Sequence, residues 1–108
     1  MKDFNLYKGQ IDCLGEKAKE ITLIIEVKTL NGKRQDEVIQ VRNAFSQLKY
    51  YEFLYEKLLK NKNKILVAAF DKKPSKKHIN FLLKNNIEIV YKSHNKIIIP
   101  DSIKRYLL

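Results

Sequence analysis

The most apolar stretch of the chain, Ile21-Thr22-Leu23-Ile24-Ile25, runs directly into Glu26-Val27-Lys28. Such a run reads as a buried strand. Side chains alternate along a strand, so Glu26 and Lys28 point to one face while Val27 points into the core. A carboxylate and an ammonium at the tip of a buried strand call for compensation by a metal ion, a substrate phosphate or a fixed partner. That requirement makes this segment the first candidate site.

The tripeptide alone carries little weight. With twelve acidic residues and nineteen lysines in 108 positions, roughly two acid-x-Lys triplets are expected by chance, so a match needs structural context. Two occur, Glu26-Val27-Lys28 and Asp71-Lys72-Lys73. The second precedes Pro74 and Ser75 in a lysine-rich connection and reads as a solvated loop. For the first, residues 9–15 form a short strand joined by the polar Glu16–Glu20 to the strand at 21–29. An antiparallel hairpin centred near residue 19 sets Asp12 opposite Glu26. Opposed carboxylates lie about 5 Å apart at Cβ and repel, unless a divalent cation lies between them. Magnesium takes one or two carboxylates plus waters and phosphate oxygens.

From Asp36 to about Lys60, Val38, Val41, Phe45, Leu48, Tyr51 and Tyr55 recur at three- and four-residue steps, the pattern of an amphipathic helix. Asp36 and Glu37 suit its start and Lys57 and Lys60 its end. Gln40, Ala44, Gln47 and Tyr51 form a stripe beside the apolar one. The remaining order is a strand at 64–70, a helix at 75–85, strands at 87–92 and 95–99 with a turn at Ser93-His94-Asn95, and a short helix after Pro100-Asp101. A strand, a long helix and a strand in succession imply a right-handed crossover between parallel strands, beside an antiparallel hairpin. The expected fold class is α/β, a mixed β-sheet flanked by helices, in a single domain spanning 1–108.

Asp12, then Glu26-Val27-Lys28 ending a strand, then Arg42-x-Ala44-x-x-Gln47-Leu48-x-x-Tyr51 on a helix, resembles the PD-(D/E)xK nuclease superfamily, which has the restriction-endonuclease-like fold. The resemblance covers roughly residues 10–100. It implies a metal-dependent endonuclease in which Asp12 and Glu26 bind Mg2+ or Mn2+, assisted by the main-chain carbonyl near Val27. Lys28 would orient or help deprotonate the attacking water, and Gln47 would be an accessory polar group. A metal held by carboxylates activates water and offsets charge in the phosphoryl transition state. Many members carry a further glutamate on an N-terminal helix, for which the eight residues before the first strand leave no room. A second class therefore stays open: a non-catalytic nucleic-acid-binding or assembly protein on the same fold.

Charge is unevenly distributed. Residues 1–56 hold nine basic and nine acidic side chains, and residues 57–108 hold thirteen basic and three acidic, which is the whole net charge of +10. The densest runs are Lys57, Lys60, Lys62 and Lys64, and Lys72, Lys73, Lys76 and Lys77. They are expected to meet a polyanion, DNA by phosphate contact above all, with a homodimer acting on both strands. A single cysteine, Cys13, suits a cytoplasmic setting, and no apolar run approaches the roughly 18 residues of a membrane span. Three glycines form no phosphate loop, and neither histidine has a partner at zinc-ligand spacing.

Overall fold

The structure is a computed structural model that describes residues 10–13, 21–59 and 63–107. Its elements are β1 (Gln10–Cys13), β2 (Ile21–Lys28), α1 (Arg34–Leu59), β3 (Asn63–Phe70), α2 (Lys76–Lys84), β4 (Ile87–Ser93), β5 (Lys96–Ile98) and α3 (Asp101–Leu107). The five strands form one sheet in the order β1-β2-β3-β4-β5. β2, β3 and β4 run parallel, while β1 and β5 are antiparallel to their neighbours at the two edges. The expected mixed α/β architecture is the observed one.

Both crossovers, β2-α1-β3 and β3-α2-β4, step across the sheet in the same direction. Two crossovers of one hand then deposit both helices on one face. That face holds the larger core, in which Ile24, Leu66, Ala68, Ile87 and Ile89 meet Val41, Ala44 and Leu48 of α1 and Leu82 of α2. The opposite face carries Leu23, Ile25 and Val67 against Ile103 of α3. β2 is thus buried from both sides, which explains why its sequence is apolar at consecutive rather than alternate positions.

α1 has the predicted amphipathic pattern: Val41, Ala44 and Leu48 are buried, and Phe45, Tyr51 and Tyr55 pack around them. Phe45 meets Phe81 of α2 with ring centroids 5.1 Å apart. The helix begins two residues before Asp36. Asn31 Oδ1 accepts the Lys33 N–H at 2.8 Å, and Asp36 Oδ2 accepts the Asn31 N–H at 2.8 Å, so the turn is closed by side chains that hold orphan amides. Gly32 sits in this turn at φ +91°, where a Cβ would be strained. β4 and β5 are joined through His94 and Asn95, both at positive φ (50° and 66°), the form of a two-residue type I′ hairpin.

The register of the first hairpin departs from expectation. β1 pairs with β2 so that Asp12 stands opposite Leu23, and Gln10 opposite Ile25. Asp12 is therefore not across from Glu26. The displacement is three residues, an odd number, so position 12 falls on the face of Leu23 and Ile25 rather than on that of Glu26 and Lys28. A connection of seven residues, 14–20, does not set register as a tight turn does. The side chains of β1 lie outside the described residues.

No helix among the described residues is long and apolar enough to cross a membrane. The division between core and surface is testable on α1 alone. Leu48, fully buried, mutated to Ala is expected to cost about 2–5 kcal/mol in urea unfolding, whereas Leu54→Ala, at a position 43% exposed, is expected to cost well under half of that.

Candidate functional site

The parallel strands β2 and β3 end at one level of the sheet, and β4 runs two residues further. Lys28, Phe70 and Tyr91 occupy one row of the register at the carboxyl-terminal rim of the sheet. In open α/β sheets this rim is where ligands bind. The loops leaving β2 and β3 both open here, as do the first turns of α1 and α2.

Glu26 lies one alternate position inside the rim, on the face covered by α1, and is 1% exposed. Its register neighbour on β3 is Ala68, a small residue that leaves room beside the carboxylate. The Lys28 ammonium lies 3.1 Å from Glu26 Oε2, within range of an ion pair. It is not aligned as a hydrogen-bond donor, and among the described residues neither Glu26 Oε1 nor Oε2 has a hydrogen-bond partner. Lys28 itself is 8% exposed. A carboxylate in such a place has lost water and received one charge in return, which leaves most of its acceptor capacity unused.

Gln47 of α1 also carries a buried, unpaired oxygen, Oε1, and α1 packs on the face of the sheet that holds Glu26. Among the described residues, Thr22 Oγ1 is the remaining buried unpaired side-chain oxygen. It is four residues from Glu26 along β2, about 13 Å away, and does not belong to the same site. The unpaired atoms at Glu26 and Gln47 are all acceptors, and apart from the Lys28 ammonium beside Glu26 Oε2 the described residues bring them no hydrogen-bond donor. The pairing of β2 with β1 runs only as far as Ile25, so the described part of β1 does not flank Glu26-Val27-Lys28.

The other acidic groups of the rim are committed to the backbone. Asp71, read from sequence as part of a solvated loop, accepts the Leu30 N–H through Oδ1 at 2.8 Å and ties the β3 exit to the β2 exit. Glu37 accepts the Ser75 N–H at 2.9 Å and contacts His78 Nδ1, so an acid on α1 caps the start of α2. The Ser75 hydroxyl lies 3.2 Å from the same ring nitrogen. The side chain of Ser75, at the N-cap position, makes no capping bond of its own. Spacing along the chain offered no signal for either tie, since each joins residues about forty positions apart.

The eight lysines do not form one patch. Lys72, Lys73, Lys76 and Lys77 are exposed at the rim that holds Lys28, with Lys73 Nζ 5.8 Å from the centroid of the Tyr91 ring. Lys64 lies near the opposite end of β3, about 20 Å from Phe70 along an extended strand. The side chains of Lys57, Lys60 and Lys62 lie outside the described residues. No cluster of three or more His, Cys, Asp or Glu side chains occurs among the described residues. The chain matches no family model, and comparison with curated proteins and with solved structures finds no match.

Burial desolvates Glu37 and raises its pKa, but hydrogen bonds from Ser75 and His78 and the charge of His78 outweigh this and hold it below the ordinary 4.5. A carboxyl group with a lower pKa in the folded state contributes stability that is complete above its unfolded value and is lost as pH falls through the folded one. The melting temperature is therefore expected to fall as the pH drops below about 4.5, and Glu37→Gln is expected to be less stable at neutral pH with a flatter acid limb. Thermal unfolding followed across that range checks both.

Proposed function

We propose that the chain is a divalent-cation-dependent nuclease that hydrolyses DNA phosphodiester bonds at the carboxyl-terminal rim of the sheet, with Glu26 as the cation's protein ligand. The observation that carries this reading is the Glu26 carboxylate, buried and without a hydrogen-bond donor among the described residues, on the side of the sheet where α1 contributes the unpaired oxygen of Gln47. A donor set composed only of oxygens suits Mg2+ or Mn2+. The order and spacing of Glu26, Lys28 and the Arg42–Tyr51 segment, which resemble the PD-(D/E)xK nucleases, favour the same chemistry.

Glu26 would hold the ion, and Gln47 would accept a hydrogen bond from a water in its shell. Such an ion lowers the pKa of bound water and offsets charge on the phosphoryl oxygens. Lys28, one alternate position nearer the rim, would orient the attacking water and face the scissile phosphate. The exposed Lys72, Lys73, Lys76 and Lys77 would hold flanking phosphates. Asp12, whose register position is on the other face, has no role in this reading, and a single carboxylate with water and phosphate completes the coordination.

A second reading is a nucleic-acid-binding or assembly protein in which Glu26 and Lys28 are a structural ion pair. The 3.1 Å separation at 1% and 8% exposure favours it. The two readings differ in measurable ways. For the nuclease, manganese calorimetry gives a heat of binding that Glu26→Gln abolishes, and Gln47→Ala weakens affinity about 10- to 100-fold. Plasmid nicking in magnesium is then lost in Glu26→Gln and Lys28→Met, with circular dichroism confirming that both variants fold. For the structural pair, the titration is silent. Glu26→Gln alone costs about 3–5 kcal/mol by stranding Lys28, while Glu26→Leu/Lys28→Met together are neutral or stabilising.

DNA binding at the rim has its own signature. Lys76→Gln/Lys77→Gln is expected to lower the slope of log affinity against log salt by about 2, one for each phosphate no longer neutralised, in filter binding to duplex DNA. An unchanged slope places the DNA elsewhere.

A further inference from the structure

The β4–β5 hairpin stands clear of the rim. β4 continues through Lys92 and Ser93 beyond the row of Lys28, Phe70 and Tyr91, then turns at His94 and Asn95 into β5. Two further residue levels of strand project about 7 Å, and the turn extends the reach. His94, Asn95 and every residue of β5 are exposed. The two turn residues sit at φ 50° and 66°, and a two-residue loop of this kind fixes the shape of the tip. No acidic side chain occurs between Glu88 and Asp101.

The cations of this ribbon are divided between its two faces. Lys92 stands opposite Ile97 on the side of the sheet that α3 covers, and Lys96 opposite Ser93 on the side of α1 and α2. At the base of the hairpin, Lys73 Nζ lies 5.8 Å from the centroid of the Tyr91 ring, so the exposed lysines at 72–77 adjoin it. A projecting ribbon with a cation on each face complements a cleft whose two walls are both anionic. We infer that the β4–β5 hairpin enters the major groove of duplex DNA tip first and reads base edges with Asn95.

The major groove of B-form DNA is about 12 Å wide and about 8.5 Å deep, and it admits a two-stranded ribbon. The projection of the hairpin matches that depth. Its thickness with side chains on both faces, about 10 Å, matches that width. Lys92 then meets the phosphates of one backbone and Lys96 those of the other. Asn95, at the tip, carries an amide oxygen and an amide nitrogen that complement the N6 donor and N7 acceptor of adenine. The partner is therefore a duplex, with A·T pairs preferred over G·C beneath the tip. β4 lies two strands from β2, about 10 Å, so the pairs read adjoin the phosphate assigned to Glu26. The inference rests on the reading that DNA lies at the rim, and not on the chemistry proposed at Glu26.

Fluorescence anisotropy in the presence of EDTA measures binding apart from hydrolysis. Labelled A·T-rich and G·C-rich duplexes of one length are compared with their single strands. The intact chain is expected to bind the A·T-rich duplex about tenfold more tightly than the G·C-rich duplex or either strand alone. Replacing adenine by 7-deazaadenine, which removes N7 from the major groove and leaves the minor groove intact, is expected to abolish the preference. Asn95→Gly, which tolerates the same positive φ, is expected to do likewise. Lys92→Gln/Lys96→Gln is expected to keep the preference but lower the slope of log affinity against log salt by about 2. Both variants are expected to retain the circular dichroism and melting temperature of the intact chain. Equal affinity for the two duplexes, tighter binding of a single strand, or a preference that survives Asn95→Gly or 7-deazaadenine overturns the inference. A slope lowered by Lys76→Gln/Lys77→Gln but not by Lys92→Gln/Lys96→Gln overturns the hairpin's role and leaves DNA at the rim. A slope unchanged in both overturns the two together.

Discussion

The two-sided burial of β2 is the constraint on which the rest of the structure depends. Alternate side chains of one strand enter two separate cores, Ile24 beneath α1 and Leu23 with Ile25 on the side of α3. A strand buried this way has to lie inside the sheet with a neighbour on each edge, and it takes β1 on one and β3 on the other. Hydrophobic burial at about 25 cal/mol per Å2 of apolar surface drives this. Glu26 and Lys28 are carried along, since they extend the same strand on the face that α1 covers. The fold therefore places a carboxylate where its own hydrophobic driving force would not.

That placement distinguishes Glu26 from the other acids at the rim. Asp71, Asp36 and Glu37 accept backbone amides, the first and last from elements far apart in sequence and Asp36 from the turn before α1, so their charge is used in holding the loops. They cap, close a turn and tie two strand exits together. Glu26 does none of this. Its oxygens accept no hydrogen bond from the described residues, and the nearby ammonium offsets the charge without satisfying the lone pairs. The contrast between acids employed in structure and one that is not carries the functional reading further than the acid-x-Lys spacing does.

The distribution of lysines shows how linear charge density and surface charge differ. Lys64 and Lys72 are eight residues apart in sequence, yet β3 carries the chain between them from one end of the sheet to the other. The run at 72–77 is brought to the rim by a parallel strand that ends there, which puts it beside the tip of β2. The nearness of Lys73 to Tyr91 and of Glu37 to Ser75 follows from the same convergence of strand exits and helix starts.

Much of the secondary structure and the parallel core was legible in the chain, because periodicity reports burial one element at a time. The apolar run at 21–25 and the three- and four-residue spacing through α1 each follow from local geometry, and the strand-helix-strand order entails the crossover. Position in β2 likewise set Glu26 and Lys28 on a common face. Register was not legible. The link between β1 and β2 is too long to fix it, and every shift by an odd number of residues exchanges the faces, so Asp12 fell beside Leu23. The capping of α2 by Glu37 and the tie between Asp71 and Leu30 were equally beyond reach, because only packing brings such distant residues within hydrogen-bonding distance. The sequence by itself determined which residues are buried in each element, and the tertiary structure alone decided which buried residues meet.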